Sequence, residues 1–572
     1  MQNLYLRLAS APIAIIEFAL MIAAGWLIFW SRQTRRHSGP SAGPFFIQSL
    51  IQSLERAFDR LARRRKLATF AVGAAVVLAR VSLIPLLGIP QPRFHDEFSY
   101  LLAADTFAHG RVTNPTHPMW IHFETFHIIE QPTYMSMYPP AQGIVLAAGQ
   151  LLGNPWIGQV LITAGMCSAL CWMLQGWMPP QWALLGAAMA VLRLGVLSYW
   201  MNTYWCASIA ALGGALVLGA WPRLREHPSF TPSAIMGLGL VILANSRPHE
   251  GFVFSIPLAI ALLAWLVGPK RPPVRQAIAV IVLPLAGILL LGGLATGWYY
   301  YRVTGSAFQM TYQVNRAQYA AAPYFVWQTP RPEPMYRHAV MRDYYRGELD
   351  EFNRNRTLQG YLLRAVEKAG SWWRFYLGPL LTVPLLALPW VTRQRKMALP
   401  LLICGAMAAG FSVQTWTLPH YFSPATGALY ILLVEGLRHL RASHRRTIGP
   451  ALVRAVPLLA CTMILLRVTA AAMHSPIEPG WPRGNLQRAA TLTELRKLPG
   501  SHLVFVRYGR DHDLDREWVW NEASIDGAPV VWARDMGESE NEELLGYFKT
   551  RSAWLVNGDD ASPKPEPHAA AR

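Results

Sequence analysis

Long apolar blocks separated by short basic loops are the feature that most restricts what this chain can fold into. Residues 67–88 and 277–298 are two such blocks, and each is close to the roughly 20 residues with which a helix crosses a bilayer. The chain is 52% hydrophobic and 15% charged, whereas soluble proteins carry about 25% charged residues. We therefore expect an all-α polytopic membrane protein with about 11 to 13 transmembrane helices.

The basic residues predict which loops lie on the cytoplasmic side. The net charge is +19, but most lysines and arginines lie in short loops between apolar blocks, as the positive-inside rule requires. This placement argues against nucleic-acid binding, which needs a basic surface rather than basic membrane loops. The predicted cytoplasmic clusters are residues 31–66, 268–275, 392–396 and 437–446.

Residues 1–66 are predicted to form an N-terminal anchor helix followed by a cytoplasmic amphipathic segment. The apolar run from about residue 11 to 30 precedes "SRQTRR" and shows no small-residue cleavage site, which indicates a retained anchor. Within residues 45–61, apolar side chains recur at helical spacing, which is typical of a helix lying on a membrane surface.

The membrane domain is predicted to comprise residues 67–471, with external loops at 90–138 and 298–375. The second loop is aromatic and then strongly charged, which suits either a lid over the site or a solvated connector. Residues 232–267 are expected to be one span interrupted by "NSRPHEG". That assignment would place the basic loop 221–228 outside.

The polar C-terminal part is predicted to be a separate external domain. Residues 502–508 and 552–558 have the composition of strands and residues 541–549 that of a helix, so residues 472–560 are expected to form a small α/β domain. The Pro/Ala-rich tail, residues 561–572, is expected to be disordered.

An acidic pair, Asp96 and Glu97, begins the first external loop only a few residues after an apolar block. On a helix, Asp96 would share a face with Tyr100 and Phe107, whereas Glu97 would point elsewhere. A carboxylate at this boundary suits a general base that deprotonates a hydroxyl. It equally suits a helix cap that interacts with the helix dipole, and the residues alone leave both interpretations open.

Several histidines and glutamates in the same loop raise the question of a metal ion. Imidazole and carboxylate groups both bind zinc, and the metal-ligand candidates are Glu130, His122 and His127. Because their spacing matches no established motif, no cofactor is required by the sequence and a divalent ion remains an open alternative.

Residues 67–440, and 94–153 above all, resemble the C-type integral-membrane glycosyltransferases. The resemblance rests on a first span, the external Asp-Glu pair, an Ala-rich helix and then "YPPAQGIVLAAGQLLG". In that family, which includes protein O-mannosyltransferases and the bacterial aminoarabinose transferase, a sugar is taken from a polyprenyl-phosphate carrier. The resemblance implies that Asp96 is the catalytic residue, with Glu97 beside it, and that a Pro-Pro pair corresponds to Pro139 and Pro140.

The chain departs from the family where many relatives have a phosphate-binding lysine before that Pro-Pro pair. Tyr138 stands there instead, so the carrier phosphate needs another cation. Arg247 is the first candidate, because an arginine in an apolar stretch is costly unless it meets an anion or water and its fork suits phosphate. The rival interpretation is a snorkelling anchor that pairs with Glu250. Further candidates for donor or phosphate binding are Arg302, His420, Tyr421 and Tyr138 itself.

The predicted function is transfer of a sugar from a polyprenyl-phosphate donor to an acceptor hydroxyl outside the cytoplasmic membrane, with Asp96 as base. The expected partners are the lipid-linked sugar, the bilayer and an acceptor that is a protein, a lipid or a glycan. No glycine-rich loop for a nucleotide sugar is evident. The alternatives are an O-antigen-type ligase or polymerase and a non-enzymatic lipid or glycan transporter, which would predict internal repeats.

Overall fold

The computed structural model describes residues 12–27, 30, 45–442, 448–475 and 484–568. Helices dominate, and two small sheets lie in the first external loop and at the C-terminus. Outside the C-terminal domain, the helices with at least nine residues are Pro12–Leu27, Phe45–Arg63, Arg65–Ser82, His95–Ala108, Pro140–Leu151, Pro155–Trp177, Pro180–Ala190, Ala207–Glu226, Phe230–Ser246, Pro248–Val267, Leu283–Thr304, Thr311–Tyr319, Ala339–Asn355, Leu358–Tyr376, Ala398–Val413, Thr426–Ala442 and Ile448–Ala472.

Within the described residues, six helices are long and apolar enough to cross a membrane, and a pair bent by 98° makes a seventh. The six are Pro155–Trp177, Ala207–Glu226, Pro248–Val267, Val274–Thr304, Arg395–Val413 and Gly449–Ala472, and the bent pair is Leu358–Tyr376 with Gly378–Val391. The chain is thus a polytopic helical membrane protein. The predicted count of 11 to 13 also included shorter segments such as Pro140–Leu151, whose 12 residues rise only about 18 Å.

The bundle has a buried centre and a lipid-facing periphery. Helices Pro155–Trp177 and Ala207–Glu226 are mostly buried, whereas Val274–Thr304 is mostly exposed. Its outward leucines, Leu290, Leu291 and Leu294, are more than half exposed. Because such a stripe is unfavourable in water and suits hydrocarbon, we infer that this helix contacts lipid.

Residues 230–267 form two helices instead of one interrupted span. Phe230–Ser246 and Pro248–Val267 meet at Arg247, which ends the first and begins the second, and the second is long enough to cross a membrane alone. The expectation of a single span is therefore wrong, because Pro248–Val267 meets the length and composition of a span by itself. With two helices, the basic loop 221–228 lies at the opposite end from Arg247, together with the basic loop 268–275.

Residues 90–138, predicted to be external and here called the first external loop, fold back on themselves. Helix His95–Ala108, here called the acidic helix, is followed by strands Asn114–Pro115, Ile128–Ile129 and Thr133–Ser136. The last strand lies in the centre and pairs antiparallel with both others. This small sheet brings residues near 127 and 136 back against the start of the acidic helix, where the Ser99 hydroxyl donates to the His127 carbonyl at 2.6 Å.

The second external segment packs on the first loop. This segment contains the helices Thr311–Tyr319 and Ala339–Asn355. From the first helix, Thr311 donates to the Met137 carbonyl at 2.6 Å, and Asn315 donates to the Ile128 carbonyl at 2.9 Å. Of the two interpretations that the sequence left open, a cover over the first loop fits these contacts better than a solvated connector.

The C-terminal domain, residues 484–568, is a small α/β unit with a four-stranded sheet. Strand His502–Arg507 lies between Val530–Arg534 and Ser552–Asn557 and is parallel to both. Helices Leu486–Leu495 and Glu538–Tyr547 complete it. The sequence predicted the helix near residue 541 and the strands that begin near residues 502 and 552. It did not predict the strand that begins at Val530.

The predicted disordered tail is ordered in part. Glu566–Pro567 forms a short strand antiparallel to Ser552–Asn557, and the His568 amide donates to the Ala553 carbonyl at 3.0 Å. That prediction is therefore wrong for these residues, because the edge of the sheet offers main-chain partners that composition does not reveal. Residues 569–572 lie outside the described residues.

The C-terminal domain docks onto the first external loop. The Ala523 amide donates to Asp105 at 2.7 Å, the Tyr134 hydroxyl donates to the Asn521 carbonyl at 3.0 Å, and His117 lies 3.0 Å from Asp526. Arg534, only 3% exposed, donates to the Glu124 carbonyl at 2.6 Å. The C-terminal domain therefore packs against the loop that carries the acidic pair and is hydrogen-bonded to it.

Candidate active site

Asp96 lies at the start of the acidic helix and is surrounded by hydrogen-bonding groups. Its Oδ1 accepts from the Tyr138 hydroxyl at 2.6 Å, contacts Nδ1 of His127 and lies 3.3 Å from Nδ1 of His95. The carboxylate side chain is 17% exposed, so it is packed but not fully enclosed. These groups fix the orientation of the carboxylate before any substrate arrives.

The same surroundings keep Asp96 ionised. Burial acts to raise the pKa of Asp96, but the charges and hydrogen bonds of His127 and His95 hold that pKa well below its usual range. The pKa of His95 is raised overall: burial acts to lower it, but the hydrogen bond and the charge of Asp96 raise it by more. Asp96 is therefore a preorganised anion at neutral pH, ready to accept a hydrogen bond from a hydroxyl.

His127 reaches Asp96 through an unusual backbone conformation. Its φ is 59°, in the left-handed region that residues other than glycine seldom adopt. Such strain persists where the surroundings enforce it and is common at functional sites. The other side of the ring, Nε2, lies 3.4 Å from the Tyr344 hydroxyl. The second external segment thus contributes directly to this site.

Glu97 faces away from Asp96 and has different hydrogen-bond partners. Its carboxylate accepts from the backbone amides of Arg93, Phe94 and Tyr204 at 3.0, 3.1 and 3.1 Å. It is 1% exposed, and burial raises its pKa to about 7 against these hydrogen bonds. Glu97 therefore ties the start of the acidic helix to residue 204, and its predicted place among the catalytic residues stays a prediction.

Tyr138, a predicted donor- or phosphate-binding residue, contacts Asp96 and Tyr100. Its hydroxyl donates to Asp96, and its ring stacks on Tyr100 with centroids 4.4 Å apart. The two prolines that follow start helix Pro140–Leu151. Where relatives in the resembled family have a lysine, this chain thus has a residue that orients the carboxylate.

Arg247 is buried at the junction of two helices. It is 6% exposed, its Nη2 lies 2.8 Å from Oε1 of Glu250, and its guanidinium lies 3.8 Å from the centre of the Tyr421 ring. The ion pair of the rival interpretation is therefore present. Nε of Arg247, however, is buried without a hydrogen-bond partner among the described residues, which leaves a donor for an anion.

His420 and Tyr421 lie near Arg247, whereas Arg302 does not. His420 is buried, with Nδ1 3.2 Å from the Tyr199 hydroxyl, and the charges of both Arg247 and Asp96 act on its ring. Arg302 is exposed and lies over Trp298 of its own helix at 5.9 Å. The structure thus groups Arg247, His420 and Tyr421 around one region and leaves Arg302 outside it.

The predicted set of metal ligands does not come together. Among the described residues, the group whose donor atoms all lie within 4.8 Å of one another is His95, Asp96 and His127. His122 and Glu130 are buried elsewhere in the loop, with their side-chain polar atoms unpartnered. The two nitrogens and one oxygen suit zinc. The sequence offered one signal for His95 that was missed, its position directly before Asp96.

No protein-family model matches the chain, and no curated protein shows a match to it. Among solved structures, it is similar to ArnT from Cupriavidus metallidurans bound to undecaprenyl phosphate, with a TM-score of 0.49, 14% identity, and 85% of this chain and 92% of that chain covered.

The chain is also similar to the oligosaccharyltransferase of Archaeoglobus fulgidus in its apo form, with a TM-score of 0.44, 12% identity, and 77% and 62% of the two chains covered. For AglB of the same organism, in complex with an inhibitory peptide and a dolichol-phosphate, the TM-score is 0.43 at 12% identity, with 86% and 69% covered. At these values the similarities carry no statement about the activity of this chain.

Proposed function

We propose that this protein is a membrane glycosyltransferase that moves a sugar from a polyprenyl-phosphate carrier to an acceptor hydroxyl. The observation that carries the proposal is that the oriented carboxylate of Asp96 and the buried cation Arg247 lie at the two ends of one series of packed rings. The series runs from Phe94, two residues before Asp96, through Trp205, His420 and Tyr421 to the guanidinium of Arg247. A base and a cation placed together suit a reaction in which a hydroxyl loses a proton and a phosphate leaves.

In the proposed reaction, Asp96 takes the proton of the acceptor hydroxyl. The acceptor oxygen forms a bond to the anomeric carbon of the sugar, and the bond from that carbon to the carrier phosphate breaks. The electron pair leaves with the phosphate, whose charge Arg247 stabilises through its unpartnered Nε. Tyr138 and His127 keep Asp96 oriented throughout.

The same proposal places the reaction outside the cytoplasmic membrane. The basic loops 221–228 and 268–275 lie at one end of the helices that meet at Arg247, and Asp96 lies at the other end. By the positive-inside rule the basic end is cytoplasmic, so the acidic helix and the C-terminal domain face outward. A carrier phosphate at that surface would meet Arg247 directly.

A divalent ion fits the donor set of His95, Asp96 and His127. If bound, it would act as a Lewis acid near the hydroxyl or the phosphate. The three side chains would hold it, and Tyr138 would still orient Asp96. The proposed proton transfer does not depend on it.

Mass spectrometry of glycans and glycolipids in a strain that lacks the protein tests the proposal. We expect one species to lose the mass of a sugar residue, and wild-type protein to restore it. Asp96→Asn should fail to restore it, whereas the exposed control Asp560→Asn should restore it fully. An unchanged glycan and glycolipid profile in the deletion strain would contradict the proposal.

A further inference from the structure

Helix Leu358–Tyr376 exposes an apolar face that the proposed reaction does not use. Leu358, Leu362 and Val366 are each more than half exposed, and Ala369 is exposed as well. With 3.6 residues per turn, these four positions fall within about 80° of one another around the helix. They therefore form one continuous stripe, here called the 358–369 stripe. An exposed apolar stripe of this kind marks a contact with protein or with a membrane.

The opposite face of the same helix is fixed to the protein by polar groups. Nζ of Lys368 donates to the Phe411 carbonyl at 3.1 Å and also to the Gln414 carbonyl. Arg364 forms an ion pair with Glu351. The helix is therefore amphipathic, with its polar side chains on the protein and its apolar stripe outward. Such helices commonly lie in the surface of a membrane with the apolar side toward the acyl chains.

Contacts before and at the end of the helix place both of its ends at similar depth. Asn355, three residues before the helix, donates to the Thr415 carbonyl at 3.3 Å, and the Tyr376 hydroxyl donates to the Pro419 carbonyl at 3.0 Å. A helix of 19 residues that crossed the membrane would separate its ends by about 28 Å. The two carbonyl partners, four residues apart in the sequence, are separated by at most about 14 Å. Length and composition would allow a bent span, but these contacts favour a helix that does not cross.

The segment after the helix shows which direction runs along the bundle. Gly378–Val391 is bent by 98° from the helix. Just beyond this segment, Nε2 of Gln394 lies 3.0 Å from Nε2 of His439, near the end of the buried helix Thr426–Ala442. Tyr376, just before the segment, contacts the chain before that buried helix begins. The segment therefore runs alongside the buried helix, and Leu358–Tyr376 lies across it.

The helix lies at the end of the bundle that carries Arg247. Gln414, whose carbonyl Lys368 holds, also donates from its side chain to Glu250 at 3.4 Å, and Glu250 is the ion-pair partner of Arg247. The next residue, Thr415, donates from its amide to the Tyr324 carbonyl at 2.8 Å, within the second external segment. The helix is thus attached to residues beside the candidate active site.

Apolar surface continues from the helix onto the segment after the bend. Leu386 and Trp390 of that segment are both more than half exposed, as expected where hydrocarbon surrounds a membrane protein. Trp372 and Trp373 lie near the end of the helix, just before the bend, and tryptophan is enriched at the boundary between membrane and water. The bend is therefore the level at which the membrane surface meets the protein.

We propose that helix Leu358–Tyr376 lies in the membrane surface on the side of Arg247 and inserts the 358–369 stripe into the lipid. The partner is the bilayer itself, contacted at the boundary between headgroups and acyl chains, about 5–10 Å deep. The inference goes beyond the proposed function, because it assigns a lipid contact to residues that the sequence placed in an external loop. It also makes Gly378–Val391 a separate membrane segment.

Spin labels on the full-length protein in phosphatidylcholine nanodiscs test the proposal. Leu358→Cys and Val366→Cys, each in a background without the five native cysteines, carry a nitroxide whose collisions with oxygen and with a water-soluble nickel chelate report its depth. We expect both labels to collide mainly with oxygen and to lie at the same depth. The matched pair is Leu290→Cys and Trp298→Cys, two exposed positions of the span Val274–Thr304. They are also eight residues apart, and their depths should differ by about 12 Å.

Every other outcome contradicts the proposal. Depths at residues 358 and 366 that differ by about 12 Å would show that the helix crosses the membrane. Collisions mainly with the nickel chelate would place the stripe in water, and weak collisions with both reagents would show that protein, such as a second copy of the chain, covers it. Leu362→Cys replaces either position if a labelled variant does not fold. Because no turnover is measured, the result is independent of the proposed sugar transfer.

Discussion

The hydroxyl of Tyr138 lies 2.6 Å from Oδ1 of Asp96, across 42 residues of sequence. This contact joins the end of the first external loop to its beginning and makes the carboxylate part of a rigid arrangement. Tyr138 stands where relatives in the resembled family have a lysine. In the proposed reaction, this position orients Asp96, and the carrier phosphate needs another cation.

Asp96→Asn should abolish sugar transfer while the protein still folds and binds its carrier. The amide cannot accept a proton, although it keeps the shape of the side chain. Glu97→Gln should instead lower the melting temperature, because its carboxylate serves three buried backbone amides and an unsatisfied donor costs about 1–3 kcal/mol. Turnover per folded molecule and melting curves of both variants separate a loss of chemistry from a loss of stability. Near wild-type turnover of Asp96→Asn would rule out Asp96 as the base.

Tyr138→Phe should move the acid limb of the pH–rate profile to higher pH. The tyrosine donates to the charged form of Asp96, so removing it raises the pKa of Asp96 from its depressed value toward the usual range. The wild type should keep the activity that depends on ionised Asp96 down to a lower pH than the variant. Profiles of kcat/KM for both proteins measure this shift. A matched control is Tyr547→Phe, an aromatic on the C-terminal domain remote from Asp96, whose profile should coincide with that of the wild type.

The sequence predicted those parts of the architecture that depend on local pattern. Apolar blocks of helical length identified the membrane helices, and the face analysis separated Asp96 from Glu97. The shorter apolar segments misled the count, because a run such as residues 139–153 has the composition of a span but gives a helix of only 12 residues. The polar break at Arg247 could be seen in the sequence. That two separate helices meet there depends on their packing, which the sequence pattern does not give.

The site residues that the sequence missed are those brought in by long-range contacts. His95 was overlooked beside Asp96, and Tyr344 reaches His127 from 217 residues away. The metal candidates Glu130 and His122 were chosen by closeness in sequence, whereas the small sheet aims His127 alone at the acidic helix. Because this loop has an irregular backbone, its sequence has no periodicity from which the directions of these side chains could be predicted.

Zn²⁺ added to purified protein should bind through His95, Asp96 and His127, whose donor atoms lie within 4.8 Å of one another. His127→Ala should reduce the stoichiometry measured by elemental analysis, because it removes one of three ligands. His122→Ala should retain the ion, since His122 lies outside this group. Equal loss in both variants, or retention in both, would show that the ion binds elsewhere.

Asp96, residues 298–375 and the C-terminal domain should all face the exterior. Single cysteines introduced within residues 510–540, in a background without the five native cysteines, should react with an impermeant thiol reagent in intact cells. A cysteine in the basic loop 268–275 should react only after the membrane is permeabilised. Because that loop follows a helix that begins at Arg247, the reverse pattern would invert the whole topology.

Arg247 should contribute to turnover beyond its ion pair with Glu250. Removing Arg247 alone leaves Glu250 buried and unpaired, which typically costs 3–5 kcal/mol, so Arg247→Ala confounds stability with activity. The double variant Arg247→Ala, Glu250→Ala removes both charges and should recover much of the stability. Its turnover per folded molecule should remain about 100-fold below wild type, because a cation beside a leaving phosphate contributes on the order of 3 kcal/mol.

Glu250→Ala alone is the matched control, because it keeps the cation and removes its partner. It should retain more turnover per folded molecule than the double variant, and Arg247→Lys should recover only part of the wild-type rate, since an ammonium lacks the two-pronged geometry. If Arg247 serves only as an anchor, the double variant should be both stable and fully active. Melting curves and single-turnover rates of the wild type, Glu250→Ala, Arg247→Lys and the double variant decide between these outcomes.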